Sequence, residues 1–164
     1  MNGVSISVGS TINIPRERFF YWFLSVDPPK IFHRYAIFPG IVESRNQTGP
    51  MHLPGSNRQF VFSDGTTANE EIISSNPPES VHYRVFNLTS MFRHLVREGN
   101  ASFTFSELPP GGTHVEWRYT FTGHNWLAEL ILQALVSTLW RGFMQSALTQ
   151  AKKLSMKELS ISGF

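Results

Sequence analysis

Residues 126 to 151 constrain the fold most: between Trp126 and Ala151 only Glu129 and Arg141 are charged, and no proline interrupts the run. Asn125 is a suitable N-cap, and Lys152 and Lys153 complement the negative end of a helix, so the pattern predicts a helix from about Asn125 to Leu154. A helix this apolar must be covered over much of its circumference. A membrane span is the rival reading, and Gln133, Ser137, Thr138, Arg141 and Gln145 argue against it by interrupting the ~20 apolar residues a bilayer requires. What covers the helix has to come from the preceding residues. Ala134, Thr138, Gly142 and Ser146 lie four apart, forming a stripe of small side chains that leaves room for a close sheet or for a ligand.

Those preceding residues read as strands. Residues 4 to 13 alternate Val4, Ile6 and Val8 with Ser5, Ser7 and Gly9, the period of a half-buried strand. Pro15 and Glu17 then suit a helix start, Phe19, Phe20, Phe23 and Leu24 recur at helical spacing, and Asp27-Pro28-Pro29 stops the pattern. Residues 29 to 36 are expected to form a second brief helix. From Ile41 to Phe121, six short runs rich in Val, Ile, Phe, Tyr and Thr are separated by turn clusters, which predicts an antiparallel meander. Asp64-Gly65 marks a hairpin, read as a two-residue turn.

Composition narrows the function. The chain has 164 residues, 41% hydrophobic and 13% aromatic, enough for the core of one domain. A formal charge of +2 without a run of like charges disfavours nucleic acid as a partner. With no cysteine there is no disulfide or thiolate metal site, and no basic-then-apolar leader opens the sequence, so a cytoplasmic location is expected. The sequons at Asn46, Asn87 and Asn100 are then silent. His33, His52, His82, His94, His114 and His124 are scattered without ligand spacing, and no metal is expected. The absence of Gly-x-Ser-x-Gly removes the usual support for serine hydrolysis.

The order of strand, helices, six strands and long helix, together with several local pieces, resembles the START/Bet v1-like (SRPBCC) superfamily, within it the polyketide cyclase/dehydrase group. The pieces are Ile12-Asn13-Ile14-Pro15, Gly55-Ser56-Asn57-Arg58 before Phe62-Ser63-Asp64-Gly65, and Glu70-Glu71-Ile72 with Asn76-Pro77-Pro78. Tyr83-Arg84-Val85 and the run Gly111-Gly112-Thr113-His114-Val115-Glu116-Trp117 complete them. The resemblance spans about Val4 to Leu154. It implies an α+β helix-grip fold, a seven-stranded curved antiparallel sheet around a long C-terminal helix with two short helices after the first strand. A single domain over 1–155 and a tail over 156–164 are expected. It also implies a cavity between sheet and helix for a hydrophobic small molecule, without fixing an activity.

Strand parity selects the residues that would line such a cavity. Val115, Trp117, Tyr119 and Phe121 share one face of their strand, as do Ala101, Phe103 and Phe105, then Val81, Tyr83 and Val85, then Arg58, Phe60 and Phe62. Much of this aromatic set must be core, and its polar tips carry more information. The expected ligand contacts are Phe60, Phe62, Val85, Phe103, Phe105, Trp117 and Phe121, with Leu135, Thr138 and Gly142 from the helix. The candidate acid, base or polarising groups are Tyr83, Tyr119, Glu70, Glu71, His94 and Arg58, parity leaving open which glutamate points inward. Residues 87–98, with Met91, Phe92 and Leu95, and the loop 49–55 are candidate entrances. The reading favours a cofactor-independent cyclase or dehydratase that shapes an oxygenated polyketide or aromatic substrate. A carrier of a lipid or other hydrophobic ligand is the alternative, and protein association through the apolar final helix a third reading; the chain is expected to be a monomer or homodimer.

Overall fold

The computed structural model describes residues 3–161. Strand β1, Val4–Ile12, is followed by helix α1, Arg16–Ser25. The meander comprises β2 Ile41–Arg45, β3 Asn57–Phe62, β4 Thr67–Asn76, β5 Ser80–Phe86, β6 Val96–Leu108 and β7 Gly112–Gly123. The last element is one rod in three parts: α2 Trp126–Leu135, a π-helical turn Val136–Trp140, and α3 Arg141–Ile161. The seven strands form one antiparallel sheet in the order β1-β7-β6-β5-β4-β3-β2, so the first strand closes the meander by pairing with the last. Irregular pairing at Ile41/Glu43, Ile72/Ser74 and Val96/Glu98 bends the strands, as bulges do, and the sheet curls around the rod. The result is the helix-grip α+β arrangement.

Local chemistry explains the elements. Asn125 caps α2 by accepting a hydrogen bond from the Ala128 N–H at 2.9 Å. The β3–β4 hairpin is wider than its Asp-Gly pair suggested: Phe62 N–H donates to Thr66 and Gly65 N–H to Phe62, with Gly65 alone at positive φ (85°). This is a three-residue turn whose glycine takes the left-handed position. Asp64 Oδ1 accepts from both the backbone N–H and the hydroxyl of Thr66, which holds its carboxyl below the usual range. At the opposite end of the sheet the buried Thr113 hydroxyl donates to the Ile14 carbonyl at 2.6 Å, tying the start of β7 to the β1–α1 junction.

Three expectations about helices are corrected. The second brief helix is only one 3-10 turn, Pro28–Lys30. Beyond it Ala36 takes positive φ, and Tyr35 and Phe38 exchange backbone hydrogen bonds, so residues 33–38 fold into a tight reversal. Nor is the C-terminal helix covered on most sides. Leu132, Val136, Phe143 and Met144 are buried against the sheet, whereas Trp126, Leu127, Leu130 and Ile131 are exposed. The stretch from Met156, read as a tail, continues α3, with Met156 and Leu159 packed on the core; residues 162–164 lie outside the described residues.

The core divides into two ends. At one, Phe19, Phe20 and Phe23 of α1 pack on Phe103 and Phe105 with ring centroids 4.7 to 6.2 Å apart. At the other, α1 is absent and the space between sheet and rod is only partly filled.

Candidate functional site

That space is a cavity of about 150 Å³. The sheet supplies one wall, the rod another, and the irregular segments at 38–41 and 88–92 close the sides. Phe60, Phe62, Val85, Trp117 and Phe121 line it from the sheet, and Leu135 from the rod. At the far end of β6 strand parity holds but the ligand contact does not: Phe103 and Phe105 point inward, and α1 occupies that volume. Phe105 is sealed under Phe19, Phe20 and Phe23, and Phe103 borders a smaller inner void.

The small-residue stripe is on the wrong side of the rod. Thr138 is exposed and its hydroxyl donates back to the Ala134 carbonyl at 2.7 Å. Gly142 lies under Tyr35, whose hydroxyl would collide with any Cβ there, so this glycine admits the 31–40 loop rather than a ligand. The rod's cavity face is instead Leu132, Leu135, Val136, Trp140 and Phe143. The π turn adds one residue to the helical period at this point, a distortion that recurs at functional sites. The four-spacing of Leu132, Val136 and Trp140 was present in the sequence and identifies this face. Phe92 belongs to the segment expected as an entrance, whereas Phe38, whose ring meets it at 5.4 Å, comes from a segment without periodicity and carried no signal.

The polar groups gather on the inner wall. Arg58 and Glu70 are cross-strand partners on the inward face, joined by Nε to Oε1 at 2.9 Å, with side chains 12% and 10% exposed. Arg58 also lies 5.0 Å from the Phe60 ring centroid, a cation–π contact. It is therefore a largely buried, paired cation. Glu70 and Tyr83 stand in the partition between the cavity and the inner void. Trp117 Nε1 donates to the Tyr83 hydroxyl at 2.9 Å, which leaves the Tyr83 proton available for an acceptor. Tyr119 meets Tyr83 edge to face at 6.2 Å and also faces the cavity.

Burial sets the protonation states. It pushes the Glu70 carboxyl up, with Arg58 only partly opposing it. Both tyrosines are driven well up by burial, reinforced by the nearby Glu70 charge. They are neutral hydrogen-bond donors across the physiological range and unable to serve as bases. Glu71 and His94 do not join them. Glu71 faces outward and pairs with Arg84 at 2.9 Å, while His94 is exposed on the 3-10 turn Met91–His94. Among the described residues no cluster of His, Cys, Asp or Glu could hold a metal.

Of the two candidate entrances, residues 88–92 do border the cavity, through Leu88, Ser90 and Phe92. The 49–55 loop does not: Gly55 N–H donates to Ile72, Ser75 Oγ to the His52 carbonyl, and Met51 is buried beside the inner void.

Known proteins share this architecture. A ginseng major latex-like protein from Panax ginseng superimposes with a TM-score of 0.69 at 17% identity, over 93% of this chain and 97% of that one. XoxI from Bacillus cereus does so at 0.65 and 19%, covering 96% and 98%. Ms6760 from Mycobacterium smegmatis gives 0.63 and 16%, covering 93% and 90%. At these identities the likeness establishes the fold alone. No curated protein matches the chain by sequence. The sequence pattern of the family described as polyketide cyclase / dehydrase and lipid transport, however, matches residues 4–155, and the chain belongs to that family.

Proposed function

We propose that the chain binds one small hydrophobic molecule, its apolar body between rod and sheet and a neutral oxygen at the Tyr119, Tyr83 and Glu70 end. The carrying observation is the composition of the cavity: an almost wholly apolar space of about 150 Å³ whose buried polar groups converge on one wall. A dry apolar cavity on the order of 150 Å³ accepts a benzene-sized guest. A bulkier ligand requires the 88–92 segment or the π turn to move. The tyrosines offer protons, and Arg58 already neutralises Glu70, so a carbonyl or hydroxyl fits this wall better than an ion.

Titrating 4-phenylbutan-2-one and butylbenzene while following tryptophan emission tests this, because Trp117 and Trp140 line the cavity. Both compounds bind the wild type. Ala68→Phe, which fills the cavity from β4, abolishes both, and Tyr119→Phe weakens only the ketone, by roughly twofold to tenfold, as for one hydrogen bond. Failure of both compounds to bind, or equal binding to the filled variant, refutes the reading.

The cyclase or dehydratase reading draws on one further observation. The Glu70 carboxyl, paired with Arg58 and pushed up by burial, faces an apolar space beside two tyrosine hydroxyls, the setting for a general base that takes up a proton and returns it. If it acts so, Glu70→Gln stops turnover of an oxygenated polyketide while leaving ketone binding nearly intact. Equal turnover by wild type and variant removes Glu70 from the chemistry. Because Arg58 holds Glu70 in an ion pair and both tyrosines keep their protons, non-catalytic binding is the reading the geometry supports best.

A further inference from the structure

The rim of the cavity carries a pattern that ligand binding alone does not use. Three segments meet there. The 31–40 loop lies on the rod through Tyr35 over Gly142 and Phe38 at 5.0 Å from Trp140. The 3-10 turn Met91–His94 touches that loop through Phe92 and Phe38, and its Arg93 carbonyl bonds His124 Nε2, next to the start of α2, at 2.7 Å. On each segment an exposed apolar side chain sits beside one that lines the cavity: Ile37 beside Phe38, Met91 between Ser90 and Phe92, and Ile131 one turn before Leu135. Leu127, Leu130 and Trp126 continue the apolar surface along α2, with Met91, Trp126 and Leu130 exposed by 78%, 69% and 60%. A soluble surface rarely gathers so many large apolar groups without a partner.

Charge identifies the partner. Residues 31–42, 87–97 and 130–157 contain no Asp or Glu. Arg34, Arg93 and Arg141, all exposed, stand among the apolar groups. The one acid of α2, Glu129, borders this surface beside Trp126 and Leu130, where its Oε1 accepts from the Gly123 N–H. A second copy meeting this surface face to face would set arginine against arginine. An apolar surface set with three arginines against one acid, itself hydrogen-bonded to the backbone, matches an anionic interface with hydrocarbon behind it.

We propose that the cavity mouth is a docking face for an anionic lipid bilayer, on which Trp126, Leu127, Leu130, Ile131, Met91 and Ile37 enter the headgroup region while Arg34, Arg93 and Arg141 meet the phosphates. The protein lies on the membrane and does not span it, since the opposite face of the rod is committed to the sheet. Docking in this orientation places the opening of the cavity against the lipid. It does not require the cavity to be filled, so it stands or falls separately from the ligand reading.

Co-sedimentation with vesicles of phosphatidylcholine alone, and with an equimolar mixture of phosphatidylcholine and phosphatidylglycerol, tests the proposal. The full-length protein binds the mixed vesicles, more weakly as salt rises, and binds the neutral ones poorly. Arg34→Gln and Arg93→Gln each weaken binding about fivefold, the value of roughly one charge at a lipid surface. Leu127→Glu with Leu130→Glu abolishes it, and circular dichroism checks that these exposed substitutions leave the fold unchanged. No binding to the mixed vesicles, equal binding to both kinds, or unchanged binding of the variants overturns the proposal. So does a dimer in solution that the same leucine substitutions dissociate.

Discussion

Replacing Arg58 with methionine leaves the buried carboxyl of Glu70 without its cation, and what Glu70 must then do sets both the size and the pH dependence of the damage. The methionine replaces most of the apolar stem, so the loss is chiefly electrostatic. Glu70 escapes an unpaired charge by taking up a proton. From an ordinary value of 4.5 this costs about 3.4 kcal/mol at pH 7, at ~1.36 kcal/mol per unit, which caps the loss. Glu70 in the folded variant has its pKa raised above that of the unfolded chain. Its stability is therefore intact below about pH 4.5 and drains away as pH climbs towards the folded value. Urea denaturation of wild type and R58M, followed by circular dichroism from pH 4.5 to 7, should show a gap that is small at the acid end and grows with pH to at most about 3.4 kcal/mol. The double variant R58M/E70L should recover most of the loss at pH 7, because an apolar pair carries no desolvation cost. A gap independent of pH, or a double variant no better than R58M, would refute the argument.

Other consequences are simpler. Thr113→Val leaves the Ile14 carbonyl without its buried donor and should cost about 1–3 kcal/mol by urea denaturation. Gly142→Leu pushes Tyr35 off the rod and should destabilise by about 1–3 kcal/mol, whereas Thr138→Leu, on the exposed side, should fall within about 0.5 kcal/mol of wild type. Trp117→Phe removes the donor that polarises the Tyr83 hydroxyl, so it should lower stability by at least about 1 kcal/mol and weaken ketone binding; unchanged affinity would separate Tyr83 from the ligand.

The sheet was legible because its signal is local: alternation placed Val115, Trp117, Tyr119 and Phe121 on one face, and the structure buries all four. What parity could not supply was depth along a strand. Phe103 and Phe121 obey the same rule, yet α1 fills the volume over one and leaves the other open, and that depends on how far α1 reaches across the sheet. The Glu70–Glu71 ambiguity had the same origin. It is settled by the register that sets Glu70 opposite Arg58, a pairing between strands that no single segment encodes. On the rod, small residues suggested a groove, but Gly142 accommodates Tyr35 and the stripe faces outward. The reversal at 33–38 depends on positive φ at Ala36, which its residue type does not announce.

The most direct test of the central claim is native mass spectrometry of the freshly purified protein, alone and with added 4-phenylbutan-2-one, beside its denatured mass and beside Ala68→Phe. The account predicts a one-to-one adduct on the wild type, lost on denaturation and absent from the filled variant. A wild type that takes up neither a co-purified molecule nor the ketone, or a filled variant that takes up as much, would contradict it.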